Sequence, residues 1–120
     1  MGVMNLFSRG DVILVNLSND TSNPKSEMIS PAVVVSSDTL NANLDTLIVC
    51  PVIDANGISE SRIGATLVPE DVIGLGKNCL VLSFQIRSII KNRIIRRVGS
   101  LPDAYLKQVQ EGVSAALELQ

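Results

Sequence analysis

Six cations fall between residues 72 and 102 with no carboxylate among them: Lys77, Arg87, Lys91, Arg93, Arg96 and Arg97. The segment carries +6, so a chain of formal net charge −2 holds −8 elsewhere. A basic stripe on an acidic protein is a local anion site, and phosphate is the usual anion. The alternative is a solvated strand-and-loop face. There is no histidine, which excludes histidine acid–base chemistry. With only Cys50 and Cys79 besides, a four-ligand zinc site is also excluded. Phe7, Phe84 and Tyr105 are the only aromatics, so the stacking platforms common in single-strand binders are lacking.

The positions of these residues depend on a core built from Val, Ile and Leu, a composition that favours strands. At 120 residues the chain is expected to be one domain, 1–120, with a single core. No apolar run approaches the roughly 20 residues that span a bilayer. The start, MGVMNLFSRGD, does not resemble a signal peptide. A cytoplasmic protein with Cys50 and Cys79 as buried free thiols is therefore expected.

Apolar, β-branched runs predict strands at Asp11–Leu17, Pro31–Ser37, Thr46–Ile53, Ala65–Val68, Cys79–Phe84 and Arg93–Gly99. Gln85–Ile90 reads as the exit from the fifth. Pro51, inside the third, suggests an edge or a bulge. Ser18–Ser30 is polar and reads as a long mobile loop; Asp38–Leu44 reads as a polar connection and Asp54–Gly64 as an exposed loop. Tyr105, Leu106, Val109, Val113, Ala116 and Leu117 have helical spacing, which predicts a helix over Pro102–Leu117. Ser100-Leu-Pro-Asp103 matches a capping box at its start. The fold class expected is mainly β (α+β), a small bent barrel of about six strands with a C-terminal helix.

Four stretches taken in order resemble the MazF/PemK family of toxins from toxin–antitoxin systems. They are Arg9-Gly-Asp-Val-Ile-Leu-Val, Pro31-Ala-Val-Val-Val-Ser, Cys50-Pro-Val-Ile, and Val81-Leu-Ser-Phe-Gln85-Ile-Arg87-Ser-Ile. Arg97-Val-Gly-Ser-Leu-Pro-Asp, leading into a helix, fits the same order. The resemblance implies an SH3-like, CcdB-related barrel. It also implies a homodimer with single-stranded RNA in the groove between protomers, and RNA cleavage without metal or cofactor. Its other implied partners are a cognate antitoxin with an extended acidic tail and, through that antitoxin, operator DNA; no membrane is involved.

The chemistry implied is attack of a ribose 2′-OH on the adjacent phosphate, which needs a base, an acid and cations around the phosphorane. The family places an arginine before the proline of the second strand; here that position is Ser30. A threonine or serine follows its Cys-Pro-x; here Ile53 does, then Asp54. The family's loop glutamate falls on Lys25, and reaches Glu27 only with a two-residue shift. Replacing Arg by Ser removes five donors and a fixed charge. Candidates for the catalytic roles are Lys25 as the cation, Ser30 as a hydrogen-bond donor, and Asp54 or Glu27 as the base. The alternative is that these are solvated loop charges and a turn serine. Candidates for RNA contact are Arg9, Gln85, Arg87, Lys91, Arg93 and Arg97, with a structural ion pair the competing role for Arg87.

Three functions stay open from the sequence. One is an endoribonuclease with a rearranged catalytic set. Another is a homologue that binds antitoxin without cutting, and the third a CcdB-like poison of another target.

Overall fold

The computed structural model describes residues 6–18 and 27–119. Among these residues there are seven antiparallel strands: β1 Asp11–Asn16, β2 Ile29–Val34, β3 Thr46–Asp54, β4 Ala65–Val68, β5 Cys79–Leu82, β6 Arg87–Ile90 and β7 Ile94–Ser100. Two helices complete the fold, α1 Asp38–Asn43 and α2 Asp103–Ala116. The sheet order is β4-β5-β3-β2-β1-β7, with β6 also paired to β3. Lys25 and most of the polar loop predicted at Ser18–Ser30 lie outside the described residues.

The central strands bury side chains on both faces, so they read in sequence as continuous apolar runs. Val12, Val33, Cys50, Val52 and Val81 pack on one face beneath α2. Ile13, Val15, Ala32, Val34, Leu47 and Val49 pack on the other, with Ile89 from β6. On α2, Val109 is fully buried, and Tyr105, Leu106 and Val113 lean on the first core. Leu117, which continues the helical spacing, is exposed just beyond the last turn.

Three local expectations are corrected. Gln85–Ile90 does not simply leave the fifth strand. A 3-10 turn at Ser83–Gln85 breaks the chain, and β6 then pairs with β3 through Val49↔Arg87 to Thr46↔Ile90. The connection after β2 contains α1, capped by Ser37, whose Oγ accepts from Leu40 N at 3.2 Å. The capping box does not form. Ser100 is drawn into β7 opposite Asp11, which leaves Pro102 as the N-cap of α2 with no side-chain cap.

Pro51 is not on an edge. β3 pairs with β2 along one side; along the other it meets β6 over Thr46–Val49 and β5 over Val52–Asp54. Pro51 falls in the gap between those two partners, where a missing N–H costs no ladder bond. Pro31 is placed with similar economy. The β2–β3 ladder begins only at Ala32↔Pro51, which puts Pro31 opposite Val52. The Ser30 hydroxyl, 3.2 Å from Val52 O, meets the carbonyl that Pro31 has no N–H to satisfy.

Helix and sheet meet most tightly where Ser83 Oγ donates to Val109 O at 3.1 Å, both groups being buried. Gly112, one turn on, lies so close that a Cβ there would come within 2.9 Å of Ser83 Cβ. At the other end of the sheet, Asp11 Oδ2 is buried and accepts from Ser8 N at 2.8 Å and from Arg97 Nε at 3.0 Å. Gly10, at φ +95°, makes the turn that delivers the chain into β1.

Candidate functional site

The end of β3, the start of β2 and the segment before β5 enclose a hollow of about 330 Å³. Ser30, Pro31, Val52, Ile53, Leu75 and Cys79 form its walls, and Asp54 and Lys77 supply its charge. The β3–β5 register, Asp54↔Cys79, is what brings Lys77 to Asp54. Their Nζ–Oδ2 distance is 3.5 Å, and both side chains are more than half exposed. Asp54 also accepts from Asn56 N at 2.8 Å. That backbone N–H holds the carboxyl below its ordinary range against an opposing desolvation, with Lys77 adding to the lowering. Asp54 is therefore an ionised carboxylate at neutral pH.

A second hollow, also about 330 Å³, lies beyond the pair and is lined by Asp54 and Lys77 again. Its remaining wall is the loop after β3 together with Glu70 and Asn78. The carboxylate–ammonium pair thus stands between an apolar hollow and a polar one. Cys79 is no nucleophile here: it is only 2% exposed, and burial pushes its thiol up. Burial alone pushes Cys50 up to about 12.

The basic stripe is positioned differently. Arg87 on β6 donates to Leu17 O at 3.3 Å, and Arg93 donates to Ser18 O. Both cations therefore hold carbonyls at the end of β1, bracing the gap between β6 and β1. Arg97 pairs with Asp11 at 2.9 Å, donates to Leu6 O and lies 5.6 Å from the Phe7 ring centre. Lys91 Nζ donates to Asn41 O at the end of α1. Arg96 and Arg97 are exposed along β7 and, with Lys91, line a further hollow of about 380 Å³.

Gln85 is exposed at the end of the 3-10 turn. Arg9 is exposed in the turn before β1, its backbone N–H held by Asp38 Oδ1 at 2.8 Å. Glu27 is exposed two residues before β2 and does not line the Ser30 hollow. The structure thus brings Ser30, Ile53 and Asp54 together, and sets Arg87 and Arg93 at the base of the loop after β1. Lys77, one cation of the stripe, was not singled out for the site; nothing local marks it, because strand pairing alone carries it to Asp54.

Residues 8–117 match the family of PemK-like, MazF-like toxins of type II toxin–antitoxin systems. The chain belongs to the PemK/MazF toxin family. It is 29% identical over 115 residues to Endoribonuclease MazF of Staphylococcus saprophyticus, spanning 95% of this chain and 93% of that one. It is also 29% identical over 117 residues to Endoribonuclease MazF9 of Mycobacterium tuberculosis, spanning 95% and 98%. Among solved structures, it is similar to MazE–MazF (Form-II) of Deinococcus radiodurans, with TM-score 0.77, 18% identity and coverage of 96% and 98%. A mycobacterial endoribonuclease in complex with its cognate antitoxin gives TM-score 0.73 at 16% identity, with 98% of each chain covered. These likenesses carry the fold.

Two of the positions where the resemblance implies a departure from the PemK/MazF pattern, Ser30 and Ile53, both line the first hollow. The Ser30 hydroxyl is held between Val52 O and Pro31 O, each at 3.2 Å. Ile53 is 45% exposed. Among the described residues, Lys77 is the one cation that lines this hollow.

Proposed function

We propose that this PemK/MazF chain is an endoribonuclease toxin that cleaves single-stranded RNA without a metal, with Asp54 and Lys77 as its reacting pair. The observation that carries this reading is the ion pair at the mouth of the hollow walled by Ser30 and Ile53. The ribose 2′-OH attacks phosphorus and passes its proton to the Asp54 carboxylate. The P–O5′ bond breaks, and Lys77 offsets charge on the phosphorane and gives a proton to the leaving O5′. The products are a 2′,3′-cyclic phosphate and a 5′-hydroxyl end. Ser30 serves as a positioning residue that holds β2 on β3.

Family resemblance supplies the surroundings of this proposal: a cytoplasmic homodimer restrained by an antitoxin with an acidic tail, which also carries any contact with operator DNA. Among the described residues, no helix is long and apolar enough to cross a membrane. Arg9, Gln85, Arg87, Lys91, Arg93 and Arg97 are proposed to steer and hold RNA. Lys25 and Glu27, in and beside the loop after β1, are the reserve cation and base.

Incubating the purified protein with a long RNA in EDTA is expected to give discrete fragments bearing cyclic-phosphate ends. The second reading, binding of RNA and antitoxin without cutting, is favoured by the engagement of the Ser30 hydroxyl with the backbone. Intact RNA together with tight binding would select it.

A base with a depressed pKa also has a kinetic signature. Asp54 works when ionised, and it ionises below the ordinary aspartate range. The acid limb of kcat/KM against pH is therefore expected below that range, leaving the rate flat through mildly acidic pH. An acid limb near pH 6 would assign the base to another group.

A further inference from the structure

The polar hollow is built around one residue. Asn78 O accepts from Ala55 N at 2.9 Å, and Asn78 Oδ1 accepts from Glu70 N at 2.9 Å. Asn78 therefore ties the loop after β3 to the turn after β4, and its side-chain amide orientation is fixed by the bond from Glu70. Its Nδ2, a donor of two hydrogens, is left over. Glu70, whose carboxylate is an acceptor only, lines the same hollow, and both residues are exposed there. Among the described residues, neither group has another hydrogen-bond or ion-pair partner.

We propose that this hollow is a nucleobase subsite that selects guanine next to the scissile phosphate. The inference rests on the reading of the chain as a ribonuclease. A phosphate at Lys77 would lie between the two hollows, because Lys77 and Asp54 line both. The nucleosides flanking it then fall one on each side. Sequence-specific recognition of single-stranded RNA reads splayed bases along their Watson–Crick edges. Guanine presents N1–H and N2–H₂ side by side, with O6 next to them. The Glu70 carboxylate takes the two donors, and Asn78 Nδ2 donates to O6. Adenine and cytosine offer the carboxylate a single amino donor beside a ring-nitrogen acceptor. Uracil offers the carboxylate a single N3–H, flanked on both sides by repelling carbonyls. A site whose charged group is left without its donors rejects the wrong base more strongly than an apolar pocket can.

The test uses the full chain on two substrates. The first is a long RNA whose cut ends are sequenced. The second is a set of short oligonucleotides, 2′-deoxy at the attacking ribose and therefore uncleavable, carrying G, A, C or U at the selected position and read by fluorescence anisotropy. Guanine is expected at one fixed place beside the cuts, with binding about tenfold tighter than for adenine. In Glu70→Gln the G-to-A ratio is expected to fall to about threefold or less, while circular dichroism of this exposed-site variant stays that of the parent. Cuts with no fixed guanine, or a G-to-A binding ratio unmoved by Glu70→Gln, overturn the assignment. If no RNA is cut at all, the ribonuclease reading fails, and the anisotropy series still decides whether the hollow selects guanine.

Discussion

Lys77→Gln is expected to lower the rate of RNA cleavage about a hundred- to a thousandfold, the effect of removing one donor that acts on the transition state. RNA affinity should fall far less, because the cations at positions 87–97 remain. Lys77→Arg should recover only part of the rate, since it keeps the charge in reach of the same hollow but holds its proton too tightly to protonate the leaving O5′. The decisive arm is Ser30→Arg in the Lys77→Gln background. It puts a guanidinium at the position where the resemblance implies one, in the hollow that Lys77 also lines, and should recover at least about tenfold of the lost rate. Stability is not at issue. The Lys77–Asp54 pair is more than half exposed on both sides, and such pairs contribute about 0–1 kcal/mol. Full activity in Lys77→Gln would remove Lys77 from the mechanism and move attention to Lys25.

Gly112→Ala should destabilise the protein by about 2 kcal/mol, with the melting temperature falling by roughly 5–10 °C. The sign is the informative part. In an open helix the same change stabilises by about 1 kcal/mol. Here the new methyl would sit 2.5 Å from Ser83 Oγ and 2.9 Å from Ser83 Cβ, and the buried bond from Ser83 to Val109 O would be lost or stretched. Ser83→Gly clears both atoms and should restore most of the loss. Ser83→Ala leaves the Cβ and should restore little. A melting temperature raised by Gly112→Ala alone would mean that α2 stands farther from the sheet than described.

The sequence was most legible where physics is local. Apolar, β-branched runs marked β1, β2, β3, β4, β5 and β7 to within a residue or two at most ends, although β7 is largely exposed. The spacing of Tyr105, Val109 and Val113 marked α2. β6 was hidden because Arg87–Ile90 is only four residues long and follows Cys79–Leu82 with no Gly, Pro, Asn or Asp between them to mark a turn. What breaks the chain there is Ser83, held to a helix far along the chain. α1 has six residues and no apolar face, so periodicity could not reveal it. The supposed cap at Ser100 failed because pairing with β1 outcompeted it. The same divide runs through the site. Ser30 directly precedes Pro31, and Ile53 and Asp54 follow Pro51 by two and three residues, so all three could be aligned by resemblance. Lys77 and Asn78 have no such marker, and Glu70, though it follows Pro69, falls in no stretch that carries the resemblance; all three reach the site through strand pairing and a turn.

Strand β3 has a thermodynamic meaning beyond its place in the sheet. Its nine residues are shared by β2, β5 and β6, so opening either half of the barrel strips the other half of a flank. Such sharing removes the low-energy route of partial opening and makes the sheet one cooperative unit. Asp54, the last residue of that strand, is therefore anchored with the global stability of the molecule behind it. Lys77 comes from the turn before β5, where only surface contacts restrain it. In the proposed reaction the two groups would then differ in stiffness: a carboxylate on an anchored strand, oriented by its bond from Asn56 N, and an ammonium on a surface turn that can follow the phosphate as its charge builds.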